Sequence, residues 1–155
     1  MKGLTIEMVT LPPYRVASFS GFGPEPEMIA WGKLTEWMQK HNMLPLKPET
    51  RIFGFNNPDP SPGSPNYGYN FWITLPDDLP VEDAEIVDYP GGDYAVTPCP
   101  GVEKIFMTWQ KFNKWLEQSP YVYGKYQWLE ETFIKDNNPE KFDHFDLYMP
   151  VQKAS

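Results

Sequence analysis

The chain has 155 residues, enough for one ordinary domain with its own hydrophobic core. Asp and Glu number 21 against 13 Lys and Arg, and the formal net charge of -8 argues against nucleic acid or an anionic membrane as the main partner. A single cysteine, Cys99, excludes an internal disulfide, and two histidines leave few transition-metal ligands, so we expect neither a metal nor a cofactor.

Aromatic residues make up 16% of the chain, a load that either fills a core or lines a concave site for a flat organic molecule. Composition alone leaves both uses open. The N-terminus has no apolar signal segment, and no run of 18 apolar residues occurs anywhere, so we expect the protein to reside in the cytoplasm.

The first half of the chain shows two periodicities. Apolar side chains at every second position predict strands, and apolar side chains at steps of three and four predict one helix. Only Pro12-Pro13 and their neighbours separate the first two strands, so we expect these to form a hairpin. In chain order the predicted elements are strand 4–9, strand 15–19, helix 25–41, strand 51–55 and strand 69–75. Residues 57–66 are too rich in Pro, Ser and Gly for regular structure and form either a lid or a mobile spacer.

The second half repeats this plan at an offset of 78 residues. A strand, a turn at Pro90–Asp93 and a returning strand again predict a hairpin, followed by a helix and two strands. These elements are strand 84–89, strand 94–97, helix 102–116, strand 128–134 and strand 144–149. The residues Pro12, Ala17, Trp31 and Trp37 recur as Pro90, Ala95, Trp109 and Trp115. Turns, helices and tryptophans that all coincide indicate a duplication.

The predicted fold is α+β, a single domain 1–155 made of duplicated β-α-β-β modules over about 1–78 and 79–155. A pseudo-twofold axis would relate the modules, with antiparallel sheets and helices packed on them. Equivalent strands would then meet at the axis, and the groove between the halves becomes a central ligand cavity.

Two adjacent carboxylates stand in the penultimate predicted strand. Alternation places Glu131 on the face of Leu129 and Phe133, and Glu130 on the opposite face with Trp128. Whichever face is buried, one carboxylate is buried with it, and it must be protonated, hydrogen-bonded by tyrosines or paired with a cation. If the strand lies at an edge, water solvates both acids instead.

Several segments in a defined order and spacing resemble one known family. They are Leu11–Ala17, Ala30-Trp31 with Leu34 and Trp37, Tyr89–Val96, Trp109 with Phe112, and Asp146–Val151. Together they resemble the GyrI-like effector-binding domain, which occurs fused to the DNA-binding parts of AraC-type and multidrug-sensing regulators and also as a stand-alone protein.

The resemblance implies an aromatic central cavity for bulky, often cationic organic molecules, with a glutamate facing the cation. In the family this glutamate precedes an aromatic residue by two positions, and an Asn/Asp-Pro turn follows. Glu131, Phe133 and Asn138-Pro139 match this pattern, which favours Glu131 over Glu130, although Phe133 replaces the family's tyrosine. The expected ligand-binding residues are Glu131, Trp109, Phe133, Tyr148, Tyr69, Phe71 and Trp31.

These observations favour a binding protein, for drug or toxin sequestration or for effector sensing, over an enzyme. The expected partner is a small hydrophobic or cationic organic ligand, with no direct contact to nucleic acid or membrane. One alternative is a hydrolase of reactive polycyclic natural products, in which only Glu131 could act as acid or base. Another is a protein-interaction module whose partner is a regulator or DNA gyrase.

Overall fold

A computed structural model describes residues 4–57, 59 and 61–154, so Met1–Gly3 and two prolines of the predicted 57–66 loop, Pro58 and Pro60, lie outside the described residues. The strands are β1 Glu7–Leu11, β2 Tyr14–Gly23, β3 Ile52–Asn56, β4 Tyr67–Leu75, β5 Glu85–Tyr89, β6 Gly92–Cys99, β7 Tyr121–Tyr123, β8 Leu129–Lys135 and β9 Asn138–Lys153, and the helices are α1 Pro26–Lys40 and α2 Ile105–Glu117. Each predicted strand and helix overlaps one of these, whereas β7 has no predicted counterpart.

The strands form one antiparallel sheet in the order β1-β6-β9-β8-β3-β4-β2-β5, and β7 pairs with β9. This order is a palindrome, because β1 is the equivalent of β5, β6 of β2, β9 of β4 and β8 of β3. The equivalent strands β3 and β8 pair at the centre of the sheet. The structure therefore confirms the α+β class and the pseudo-twofold arrangement.

Both predicted hairpins are wrong. β1 pairs with β6 rather than with β2, and β5 pairs with β2 rather than with β6. Each half thus lends its first strand to the sheet of the other half. A two-residue hairpin favours positive φ at its turn residues, and Pro12-Pro13 cannot adopt it. Alternation and turn residues indicated strands at these places, but they carried no information about which strand pairs with which.

The exchange of first strands forces the sheet to curl. β1 and β2 stand six steps apart in the strand order, roughly 29 Å in a flat sheet, whereas the chain from Leu11 to Tyr14 spans at most about 11 Å. Pro90-Gly91 imposes the same constraint on β5 and β6. The two end regions of the sheet meet accordingly, with the hydroxyl oxygens of Tyr89 on β5 and Tyr94 on β6 only 2.7 Å apart.

The curled sheet has two faces, which we call the inner face and the helix face. The inner face packs on itself through side chains from both halves, and no helix residue joins this cluster in the described part of the chain. On the helix face, α1 packs on the first-half strands through Leu34 and Met38, and α2 packs on the second-half strands through Phe112 and Leu116. Among the described residues, the two helices do not pack extensively on each other, and each covers its own half of the sheet.

Each helix carries the apolar face that this packing requires. α1 begins with Pro26 in its first turn, where the missing N–H costs nothing, and it buries Ala30, Leu34, Trp37 and Met38. α2 follows a single 3-10 turn. Among the described residues, no helix is long and apolar enough to cross a membrane.

Gly91 occupies the turn where the two ends of the sheet meet, and it tests the curled fold. Its φ is +86°, and a Cβ there would lie 2.6 Å from the carbonyl oxygen of Leu11. We expect Gly91→Ala to lower the unfolding free energy by about 2–4 kcal/mol, since backbone strain and a clash add. Gly63 is the matched control, because its φ is +79° but no atom of the described residues lies within 4 Å of its Cβ position. Gly63→Ala should cost only about 1 kcal/mol in urea unfolding, and equal losses at both sites would contradict the close approach.

Candidate ligand-binding cleft

The junction of the two halves places adjacent carboxylates on opposite faces of the sheet. β3 and β8 pair through Phe53 with Glu131 and through Gly54 with Glu130. Glu131 therefore points to the inner face and Glu130 to the helix face, as strand alternation predicts. The strand is not at an edge, so both carboxylates need partners within the protein.

Glu131 is bound by a cation of the protein itself. The guanidinium of Arg51 donates from Nε to Oε2 at 2.9 Å and from Nη2 to Oε1 at 2.7 Å, and the Tyr148 hydroxyl donates to Oε1 at 2.7 Å. Arg51 also donates to the Tyr14 hydroxyl at 3.0 Å. Glu131 is only 4% exposed, and this network neutralises it by a two-pronged ion pair across the junction of the halves.

The pKa values on the inner face follow from this pairing. The hydrogen bond and charge of Glu131 raise the pKa of Arg51 above its ordinary value, although burial opposes the change. Burial and the neighbouring Glu131 carboxylate raise the pKa of Tyr148, so its hydroxyl stays protonated and serves as a donor. The inner-face network is therefore an ion pair with its hydrogen bonds satisfied.

Glu130 has a different environment. The Tyr69 hydroxyl donates to Oε1 at 2.6 Å, and the indole N–H of Trp109 donates to Oε2 at 2.8 Å. Among the described residues, no Lys, Arg or His forms a salt bridge with it. Burial raises the pKa of Glu130, while the two hydrogen bonds lower it. Glu130 is thus a partly buried carboxylate that has no counter-ion among the described residues.

Gly54 makes this arrangement sterically possible. A Cβ at residue 54 would lie 2.4 Å from the Tyr69 hydroxyl oxygen and 2.6 Å from a carbon of its ring, so the ring of Tyr69 rests directly on the backbone of β3. Because Gly54 and Glu130 are partners in the sheet, the hydroxyl then reaches the carboxylate. The glycine in the segment Phe53-Gly54-Phe55 is therefore required by a close approach.

Aromatic rings surround Glu130 between α1 and α2, and we call this region the interhelical cleft. Trp31 of α1 packs against Phe71 with ring centroids 4.9 Å apart, and Phe71 packs against Tyr69 at the same distance. On the α2 side, Trp109 packs against Trp128 at 5.3 Å. Trp31, Trp109 and Glu130 are each partly exposed, so the cleft opens to solvent.

The two equivalent tryptophans of the cleft have different partners. Trp109 donates its indole N–H to Glu130, whereas Trp31 donates to the carbonyl oxygen of Pro139 at 2.8 Å. Pro139 belongs to the hairpin of β8 and β9, whose turn residues Asp136 and Asn137 both have positive φ. This hairpin reaches across to α1, so the duplicated halves build an asymmetric cleft.

A second carboxylate, which belongs to the first half of the chain, borders the cleft. Glu27, in the first turn of α1, accepts the Tyr67 hydroxyl at 2.8 Å and 2.7 Å on its two oxygens. Its negative charge also raises the pKa of Glu130. Two surface cavities of about 530 and 550 Å³ lie outside the interhelical cleft, and no group of described residues could hold a metal ion.

The sequence of the chain matches one family model over residues 7–151, and that model describes an integron-associated effector-binding protein. The chain belongs to this family. The match confirms the resemblance to GyrI-like effector-binding domains. Among curated proteins, none matches the chain in sequence.

Three solved structures have the same fold as this family member. The C-terminal domain of EcmrR superposes with a TM-score of 0.73 at 15% identity, covering 97% of this chain and 99% of that one. The integron cassette protein VCH_CASS2 of Vibrio cholerae gives 0.54 at 13% identity and 95% coverage of each chain. SAV2435, solved bound to tetraphenylphosphonium, gives 0.61 at 12% identity, covering 96% of this chain and 94% of that one. At these identities the likeness shows the fold alone.

Within this fold, the predicted ligand-binding residues divide into two groups. Those in the interhelical cleft are Trp31, Tyr69, Phe71 and Trp109. Those on the inner face are Glu131, Tyr148 and Phe133, and Phe133 stacks on His144 with centroids 4.2 Å apart. One site cannot use both groups, because the sheet separates them. That Glu131 binds the ligand stays a prediction. A cationic ligand would have to compete with Arg51 for that carboxylate.

The sequence interpretation missed five residues that build the two networks: Tyr14, Glu27, Arg51, Gly54 and Tyr67. Glu27 precedes Trp31 by four positions, one helical turn, which is a signal that sequence alone could have supplied. The partnership of Arg51 with Glu131 joins residues 80 positions apart, and no local pattern indicates it.

The ion pair of Arg51 and Glu131 is expected to contribute strongly to stability. Glu131→Gln leaves the guanidinium without a counter-charge, which costs about 3–5 kcal/mol at a fully buried site. Because the Arg51 side chain keeps 27% of its exposure, we expect about 2–3 kcal/mol in urea unfolding.

The double variant Arg51→Met, Glu131→Met is the matched control, since replacing both charges by apolar groups avoids the unpaired cation. It should lose less stability than Glu131→Gln alone. A double variant that is less stable than the single one would contradict this account of the network.

Proposed function

We propose that this protein binds bulky aromatic organic cations in the interhelical cleft, with Glu130 as the counter-charge. The observation that carries the proposal is Glu130 itself, a carboxylate held among aromatic rings with no basic partner in the part of the chain that the structure describes. The proposal transfers the role predicted for Glu131 to its neighbour. Drug or toxin sequestration and effector sensing are both consistent with such a site.

An unpaired charge inside a protein is unfavourable in free energy, and this applies to Glu130. Burying a carboxylate away from water is unfavourable unless hydrogen bonds or a cation compensate, and two neutral donors compensate only in part. A cation entering the cleft would complete the compensation. Carboxyl groups whose pKa is raised by burial in a cleft are frequent at functional sites.

The walls of the cleft suit an aromatic cation. The faces of Trp31, Trp109 and Tyr69 attract positive charge, and each such contact contributes on the order of 0.5–2 kcal/mol when water is excluded. Several contacts together support binding on the order of micromolar without directional hydrogen bonds. A broad choice of ligands follows from walls of this kind.

Apolar side chains at the mouth of the cleft are available to cover a bound ligand. Met28 and Phe106 precede Trp31 and Trp109 by three positions, so they lie on neighbouring parts of the same helix faces. They are 69% and 75% exposed, and they stand 78 residues apart, at equivalent places of the two halves. Exposed large apolar residues at a cleft are typical of a binding rim.

The comparisons support this proposal as analogies. SAV2435 has the same fold and was solved with tetraphenylphosphonium, a bulky aromatic cation. The family itself is described by effector binding. The alternatives of a hydrolase and of a gyrase inhibitor stay predictions, because no contact within the described residues favours either.

Replacing each of the two adjacent glutamates separates the two faces of the sheet. Tetraphenylphosphonium would carry its charge roughly 7 Å from Glu130, which is worth about 2 kcal/mol at an effective dielectric constant of about 20. Glu130→Gln should therefore weaken binding at least about tenfold in isothermal titration calorimetry. Glu131→Gln should keep the dissociation constant within about threefold.

Circular dichroism spectra establish that both variants are folded at the temperature of the titration. If Glu131→Gln fails to fold, the double variant with Met at residues 51 and 131 takes its place. Loss of binding in a folded inner-face variant, together with retention in Glu130→Gln, would reverse the assignment and restore the original prediction for Glu131.

The raised pKa of Glu130 predicts that the affinity for a cationic ligand depends on pH. Burial, its first cause, favours the protonated form in the free protein, and only the ionised form attracts a permanent cation. As the pH falls through this raised pKa, affinity for tetraphenylphosphonium should decline by up to tenfold per pH unit, and above it affinity should be constant.

Glu27 also faces the cleft, so the Glu130→Gln variant is needed to assign the titration. In that variant the affinity should be low and nearly independent of pH in the same range. A wild-type affinity that does not change between pH 4 and pH 8 would contradict an ionised Glu130 in the site.

A further inference from the structure

The interhelical cleft contains a second carboxylate that the proposed function does not use. Within the described residues, the one side-chain donor to Glu27 is the Tyr67 hydroxyl, which lies 2.8 Å and 2.7 Å from its two oxygens. A carboxylate offers about four acceptor positions, so one shared donor leaves most of its capacity unused. In the described part of the chain, no basic side chain forms a salt bridge with Glu27.

Helix capping does not account for this side chain. An acidic residue in the first turn is favourable because of the helix dipole, but the cap residue of α1 is Glu25, and no side chain caps the helix by a hydrogen bond. The Glu27 carboxylate instead contacts the sheet, where it accepts a hydrogen bond from the Tyr67 hydroxyl on β4. Burial and then the hydrogen bond to Glu27 raise the pKa of Tyr67 to about 12, so this hydroxyl remains a donor.

The two carboxylates are held by neighbouring positions of one strand. Tyr67 and Tyr69 are two residues apart on β4, so they point to the same face with Cα atoms roughly 7 Å apart. Tyr67 holds Glu27, and Tyr69 holds Glu130. Two anionic positions thus lie side by side along one wall of the cleft.

Among the described residues, no basic side chain pairs with Glu27 or Glu130 to reduce the repulsion between their charges. The charge of Glu27 raises the pKa of Glu130, and it also raises that of Tyr69. A monocation at Glu130 neutralises one of the two carboxylates and leaves the other unpaired. A ligand with two positive centres neutralises both.

We propose that the cleft prefers aromatic dications, with an aromatic cationic ring system against Glu130 and Trp109 and a second cationic group against Glu27 and Tyr67. Glu27 is then the residue that determines specificity for the second charge. This inference rests on the proposed function, because it assigns a ligand class to the same cleft.

The size of the preference follows from the exposure of Glu27. This side chain is partly exposed, and ion pairs in such places are weaker than buried ones because water screens them. We therefore expect a dication to bind roughly twofold to fivefold more tightly than a monocation with the same ring system. The preference should shrink as the salt concentration rises.

Ethidium and propidium provide a matched pair of probes. Both contain the same phenanthridinium ring, and propidium adds a quaternary ammonium group on a short propyl chain. Titration of each dye, followed by its fluorescence, gives two dissociation constants for the wild type and for Glu27→Gln. Glutamine keeps an oxygen that can accept the Tyr67 hydroxyl, so the variant changes charge rather than shape.

Glu25→Gln is the control for loss of charge in general. Glu25 lies two residues before Glu27 at the same end of α1, and its side chain is exposed. We expect Glu27→Gln to bring propidium to the affinity of ethidium and to change ethidium binding by no more than about twofold. Glu25→Gln should keep most of the preference for propidium.

The outcomes separate the two proposals. If the wild type binds both dyes equally, or if Glu27→Gln retains the preference, the inference about dications is wrong and the proposed function stands. If neither dye binds the wild type, the proposed function fails and the inference fails with it. Unfolding curves of all three proteins show that differences in folding do not cause the result.

Discussion

Two connections of two residues each join strands from opposite ends of the same sheet. Pro12-Pro13 links β1 to β2 and Pro90-Gly91 links β5 to β6, so the sheet must curl until its ends touch. Curling closes the inner face on itself and leaves both helices on the other face. The helices pack on separate halves of the sheet, and the open space between them lies over the junction of β3 and β8. The site therefore follows from the connectivity.

At this junction, one strand presents two chemically identical side chains to two different environments. Glu131 lies on the inner face, where the Arg51 guanidinium and the Tyr148 hydroxyl donate hydrogen bonds to it, as a buried carboxylate requires. Glu130 lies beneath the cleft, where the neutral donors Tyr69 and Trp109 hold it and no cation of residues 4–57, 59 or 61–154 pairs with it. The first carboxylate joins the halves, and the second remains available to a ligand. The two carboxylates differ in environment because successive side chains of a strand point to opposite faces of the sheet.

The strands, the helices and the duplication could be predicted from the sequence. Periodicity is visible within a short segment, and the repeated tryptophans are visible when the two halves are compared. Strand partners were not predictable, since hairpin patterns at Pro12-Pro13 and at Pro90-Gly91 conceal an exchange between the halves. Four aromatic residues of the cleft, Trp31, Tyr69, Phe71 and Trp109, are among the predicted binding residues, but the resemblance to the family favoured Glu131 as the carboxylate. The choice depended on Arg51, which is distant in sequence and belongs to the other half.

The crystal structure of the protein with tetraphenylphosphonium tests the central claim most directly. The account predicts the phosphonium in the interhelical cleft, beside Glu130 and between the faces of Trp31 and Trp109, with the ion pair of Arg51 and Glu131 unchanged. A phosphonium beside Glu131, with Arg51 displaced from that carboxylate, would contradict it.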